Sequence, residues 1–342
     1  MRFNEFKNPV NNTVLFEYDP NISDQELKDL IVQRLRTEED RDMLDKIYQA
    51  LESSTLDERI TSVLAQDEDA KSKLQVFAGI VMNTEGTFDE KQRFIDNYTA
   101  GYIDTAKLTT PNQVHNFSDW IMGDAFVIRV FNNLYSYTPQ GIGAGEFAMA
   151  VLSPEIKFAG RSSEDAGDLV INGTMTEVKA RTSSGGRFMD ARKAKMNQRS
   201  VEEAFKKAGI AEIGKGISGK MWAESVRAQI DPKNIRAVAQ AIFKGAFAFV
   251  NESEGGPLLQ ALESGDSRQI AHEWGMLSFE NYKRMSKFEA MLLLDTKAAK
   301  TKQNSHSLYF TDINAVSGVI QSGQPYVVGP EQQVHPQMIF KI

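Results

Sequence analysis

The stretch Gly167-Asp168-Leu169-Val170-Ile171-Asn172-Gly173-Thr174-Met175-Thr176-Glu177-Val178-Lys179 decides how this chain is read. Asn172-Gly173 is a strong hairpin signal, because both central residues of a type I′ turn need φ > 0. Apolar and β-branched residues flank the turn on both sides. A two-residue turn also sets the register. Ile171 faces Thr174, Val170 faces Met175, Leu169 faces Thr176, and Asp168 faces Glu177. Directly opposed side chains share a face, with Cβ atoms roughly 4.5–5.5 Å apart. Lys179 lies two residues past Glu177 and joins that face. One surface therefore gathers two carboxylates and an ammonium. Opposed like charges destabilise a ladder, and a divalent cation held by oxygen ligands would offset them.

Upstream, Gly141-Ile142-Gly143-Ala144-Gly145-Glu146 reads as a Gly-rich loop. A short buried helix is expected to begin near Glu146, run through Phe147–Leu152 and stop before Pro154. A dinucleotide-binding loop would need a strand before it, and residues 135–140 make a poor strand. The glycines instead let the backbone approach closely and aim Glu146 at a site.

These residues, in this order, resemble the PD-(D/E)xK nucleases, the restriction-endonuclease-like phosphodiesterases. Glu146 stands on a helix, Asp168 on one strand, and Glu177-Val178-Lys179 on the next. The resemblance covers roughly residues 115–190, with later core strands at 288–312. It implies an α/β (α+β) fold: a restriction-endonuclease-like mixed sheet flanked by helices. It implies that Glu146, Asp168 and Glu177 bind Mg²⁺, with Mn²⁺ as a substitute, and that Lys179 is the motif lysine. Gly167 departs from the family pattern, which often has Pro there. The Gly-Gly-Arg after the motif strand and the general sequence style are similar to nuclease-like proteins of tailed phages. That similarity implies a bacterial or phage-infected cytoplasm, or association with the virion.

Spacing alone does not single out the motif. Glu26/Lys28, Glu155/Lys157 and Asp295/Lys297 have it too. Residues 26 and 28 sit in a helical pattern, where i and i+2 do not share a face. Glu155 has no opposed Asp. Glu177/Lys179 combines a strand, an Asn-Gly turn and an Asp placed opposite by register.

Composition fits a soluble globular protein, with 41% apolar and 25% charged residues. No run approaches the length of a membrane span, so no membrane partner is expected. MRFNEFKNPVNN lacks an apolar core, so secretion is not expected. With no Cys, disulfides and thiolate metal sites are excluded, and the four His at 115, 272, 306 and 335 have no metal-ligand spacing. Charge is uneven. Residues 1–110 hold 22 Asp/Glu and 13 Lys/Arg, whereas residues 179–244 hold 15 Lys/Arg and 6 Asp/Glu. A basic block after the hairpin is a footprint for a polyanion, which the nuclease resemblance implies is DNA. Arg181, Arg187, Arg192, Lys193, Lys195 and Arg199 are the candidate phosphate contacts, each weighed against a solvated or salt-bridged role.

Along the chain, residues 1–110 read as an acidic helical N-terminal region. Ser23 and Glu26 form a capping box, and helices are expected to about residue 100. This region suits docking of a protein partner, self-association, or capping of the main domain. Residues 111–342 read as the nuclease-like domain. A helix runs from about Trp120 through Phe131, and a short strand lies at 155–160. Residues 190–287 form a largely helical basic insertion, and 288–342 complete the core. There, Phe288–Asp295 and Ser307–Thr311 read as strands, a short helix starts at Asp312, and Met338–Ile342 reads as a closing edge strand. Tyr135, Tyr137, Trp274, Phe279 and Tyr282 are read as core or interface residues.

The leading expectation is a Mg²⁺-dependent DNA nuclease. Beside it stand a nuclease-fold DNA-binding or structural protein with little or no activity, and a helical adaptor with an incidental hairpin. The discriminating observation is whether Glu146, Asp168 and Glu177 converge within one cation's reach.

Overall fold

The computed structural model describes residues 81, 83–135, 143, 145–159, 167–181, 186–187, 198–210, 217–295, 305–318, 320–322, 326–328 and 337–340. The helices expected within residues 1–80 and the basic stretch at 188–197 lie outside these.

Strands β1 (Val114–Asn116), β2 (Ile156–Phe158), β3 (Leu169–Ile171), β4 (Thr174–Arg181), β5 (Ala290–Asp295) and β6 (His306–Phe310) form a six-stranded sheet in the order β1-β6-β5-β4-β3-β2. The hairpin at its heart has the register the turn demands: Ile171 pairs with Thr174, Val170 with Met175 and Leu169 with Thr176. Asn172 and Gly173 take φ of 51° and 82°. Every neighbouring pair is antiparallel except β4 and β5, which run parallel with Glu177 beside Met291 and Lys179 beside Leu293. Parallel neighbours need a long crossover, and residues 182–289 supply it.

The crossover contains helices, as do the segments that flank the sheet. These are α1 (Phe88–Asp96), α2 (Ala125–Tyr135), α3 (Glu146–Leu152), α4 (Gln198–Lys207), α5 (Pro232–Ala246), α6 (Gly256–Ser264) and α7 (Ser267–Ser286). Alternation along the strands divides the core in two. On one face Leu169, Ile171, Val178, Leu292 and Leu294 pack with Phe94, Phe126, Phe131 and Phe147. On the other, Met291, Leu293, Leu308 and Phe310 pack with Phe279, Tyr282 and Phe288. β5 is buried along its whole length, as expected of a strand covered on both sides. Each fully buried Leu or Phe contributes about 1.5–3 kcal/mol relative to exposure. A third apolar cluster joins Phe205 of α4, Ile242 of α5, Leu262 of α6 and Trp274 of α7. α7 therefore belongs to two cores. Its first turns pack in the crossover's helical body and its last turns pack on the sheet.

Several elements differ from the sequence reading. The helix expected through Trp120–Phe131 is broken into Phe117–Trp120 and α2, with Gly123 between them at φ 117°. Asp124 restarts the chain by accepting the Phe126 N–H at 2.9 Å. β1 was not foreseen: it is short and polar, and pairing with β6 rather than propensity makes it a strand. Gln337–Phe340 is not an edge strand but the middle strand of its sheet. It pairs with Ile320–Ser322 and with Gly186–Arg187 in a separate three-stranded sheet. The helix expected at Asp312 is a 3-10 turn, Asn314–Val316. Residues on both sides of position 110 share one core, since Phe94, Tyr98 and Leu108 join Phe117 and Phe126. No described helix is long and apolar enough to cross a membrane.

Candidate active site

Asp168 precedes β3 by one residue and extends its ladder, its N–H bonding the Thr176 carbonyl at 3.0 Å. Gly167 turns the chain into this position at φ 79°. A Cβ there would sit 3.0 Å from the Thr176 carbonyl oxygen, a close approach that suits glycine. The Asp168 carboxylate accepts the Val178 N–H at 2.8 Å and lies close enough to Glu177 to feel its charge. Glu177 is 4% exposed. Its Oε1 accepts both the Lys179 ammonium and the Tyr282 hydroxyl. Strand alternation puts Glu177 and Lys179 on the face covered by α7, opposite Val178, which is buried in the other core.

Glu146 reaches the same cluster from the start of α3. Gly145 precedes it in the left-handed conformation, φ 88°, with the Tyr135 ring and a Leu294 methyl 2.7 and 2.8 Å from where a Cβ would lie. Glycine is therefore required, and the turn aims Glu146 inward. Glu146 is 6% exposed and accepts a backbone hydrogen bond from Gly143.

The four groups share one electrostatic environment. Burial, then the charge of Asp168, pushes the Glu146 carboxyl up to about 8. Burial and the neighbouring Glu177 push Asp168 up to about 6. Burial opposes the charge on Lys179, but the groups around it, Tyr282, Glu177 and Asp168, outweigh burial and hold the ammonium protonated. The cluster therefore carries more carboxylates than its single ammonium can balance.

Glu146 and Glu177 are buried and Asp168 is half-buried; the three supply hard oxygen donors, the kind Mg²⁺ takes and soft metals do not. Among the described residues, however, no group of three or more His, Cys, Asp or Glu side chains is arranged to grip an ion. Glu177 is turned to Lys179 and Tyr282 instead. The donors are chemically right and feel one another's charge, but Glu177 is held by neighbouring side chains of the chain itself.

The DNA-facing candidates divide. Arg192, Lys193 and Lys195 lie outside the described residues. Arg181 ends β4 at the position paired with Asp295. Arg187 lies in the small sheet, paired with Gln337. Arg199 stands exposed on α4 and pairs with Glu203 at 3.2 Å. Tyr135, Trp274 and Phe279 are core residues, and Tyr137 lies outside the described residues. Tyr282 is both core and site. Its contact with Glu177 spans 105 residues of sequence, so no local pattern announces it. No protein-family model, curated protein or solved structure matches this chain.

Proposed function

We propose that this chain is a Mg²⁺-dependent deoxyribonuclease of the PD-(D/E)xK type, hydrolysing phosphodiester bonds. The carrying observation is that Glu146, Asp168, Glu177 and Lys179 lie close enough to feel one another's charge on a mixed sheet, with Lys179 bonded to Glu177. A restriction-endonuclease-like arrangement of that sheet is part of this proposal.

Glu146, Asp168 and Glu177 would hold Mg²⁺, which when bound polarises the phosphate and lowers the pKa of bound water. The remaining chemistry belongs to this chain. Lys179 is held protonated, so it serves as a hydrogen-bond donor and positive charge, not as a base. It orients the attacking water and balances the charge that grows on the phosphoryl oxygens. The water oxygen bonds to phosphorus as the bond to the leaving sugar oxygen breaks. The water's proton passes to solvent, and the leaving oxygen takes one up. Asp168 is fixed by the Val178 N–H and keeps Glu177 and Lys179 in register. The basic residues after the hairpin hold the phosphate backbone, which positions DNA without reading its sequence.

One observation favours a second reading, a nuclease-fold DNA-binding or virion protein of little activity. Glu177 already has two internal partners. The experiment is incubation of the purified chain with plasmid DNA and Mg²⁺ or Mn²⁺. Nicking or cutting that Glu177→Ala abolishes supports the nuclease. Salt-dependent binding without cleavage under any divalent metal supports the second reading.

A further inference from the structure

Tyr282 is 2% exposed near the C-terminal end of α7. A buried tyrosine hydroxyl needs a partner, and this one donates to Glu177 Oε1, the same oxygen that takes the Lys179 ammonium. The ring does more than fill space. It packs edge-on against Phe288 with centroids 5.2 Å apart, and Lys179 Nζ lies 5.3 Å from its own centroid. One side chain thus contacts both members of the Glu-x-Lys pair, one through its hydroxyl and the other through its π-face.

The helix that carries it is tethered on either side of the ring. Asn281 Oδ1 accepts the Phe249 N–H at 2.9 Å. Arg284 donates to the Phe249 carbonyl at 3.2 Å and to Glu254 at 2.8 Å. Both tethers lead into the crossover's helical body, in whose core α7 also packs through Trp274. Rotation of α7 about its axis, which would withdraw the hydroxyl, breaks these bonds.

We infer that Tyr282 is a positioning residue for the hairpin site, fixing the Glu177 carboxylate through its hydroxyl and the Lys179 ammonium through its ring, with α7 setting its position. The inference rests on the nuclease reading. Groups that orient ligating carboxylates from outside typically change metal affinity or activity by about 10–100-fold when lost.

The test uses the full chain and two measurements: Mg²⁺ binding by calorimetry, and steady-state cleavage of plasmid DNA. Tyr282→Phe removes only the hydroxyl. It should weaken Mg²⁺ binding about tenfold and lower kcat about tenfold, with the KM for DNA unchanged. Tyr282→Leu, which also removes the ring, should lower kcat further. If Tyr282→Phe fails to fold, Asn281→Ala takes its place, releasing the helix without touching the site. A several-fold fall in kcat at constant KM is expected there. Mg²⁺ affinity and kcat equal to wild type in Tyr282→Phe, or in Asn281→Ala where it stands in, overturn the inference while leaving the nuclease standing. A wild-type chain that takes up no Mg²⁺ and cuts nothing overturns the nuclease reading, and this inference with it.

Discussion

Replacing Glu146 by Gln should make the metal-free protein more stable, although it removes a central residue of the site. The reason is the sign of the linkage. The Glu146 carboxyl is pushed up from 4.5 to about 8 in the folded chain, first by burial and then by Asp168. Below about 4.5 it is protonated in both states and pH has no effect through this group. Between 4.5 and about 8 the folded chain must keep a proton that the unfolded chain has released, so stability falls as pH rises. Above that window the cost is constant. Each pH unit inside it removes about 1.4 kcal/mol, so at pH 7 the group costs the fold on the order of 3 kcal/mol. That is a large fraction of the roughly 5–15 kcal/mol that holds a typical domain together. Glutamine keeps the size and can still accept from Gly143, but carries no titrating proton. The assay is urea unfolding with chelator present, from pH 5 to pH 9, for wild type and Glu146→Gln. The variant should gain over wild type progressively up to about pH 8 and then hold its lead. Identical midpoints at pH 7, or a wild type that gains on the variant as pH rises from 5 to 8, would refute the electrostatic account of the site.

Three further outcomes follow from particular contacts. Lys179→Met strips the ammonium from the nearly buried Glu177, which should cost on the order of 3 kcal/mol in thermal or urea unfolding at neutral pH and abolish cleavage. Gly145→Ala forces a Cβ into the left-handed conformation against Tyr135 and Leu294. It should lose about 2 kcal/mol or more in the same unfolding measurement and lower cleavage by misdirecting Glu146. If the basic stretch holds phosphates, the triple variant Arg192→Gln/Lys193→Gln/Lys195→Gln should flatten the slope of log affinity against log salt by about 3, read by fluorescence anisotropy on labelled duplex DNA. An unchanged slope would remove those residues from the interface.

Most of what the sequence made legible is local. The Asn172-Gly173 turn sets the hairpin register by itself, because a two-residue loop permits one pairing. The apolar run Ala290–Asp295 needs no partner to announce a strand buried on both faces. What escaped was decided by distant partners. Val114–Asn116 is a strand because β6 lies beside it. The interruption at Ile121–Asp124 was marked only by Gly123, inside an apolar pattern that otherwise continues. Gln337–Phe340 reads as an edge strand, but nothing within it specifies that its neighbour is Ile320–Ser322 and not the main sheet. At the site, the alignment of Asp168, Glu177 and Lys179 follows from strand alternation, and the Gly-rich approach to Glu146 was readable as a turn. Tyr282 was not readable, since α7 reaches Glu177 only after the whole crossover has folded back onto the sheet.

The central claim is that the carboxylate cluster cuts DNA. The most direct measurement compares wild type with the double variant Asp168→Ala/Glu177→Ala on supercoiled plasmid with Mg²⁺, each checked for folding by circular dichroism. Wild type should convert the plasmid to nicked or linear form, and the folded double variant should leave it supercoiled. Robust cleavage by the double variant, or none by wild type with either Mg²⁺ or Mn²⁺, would contradict the claim.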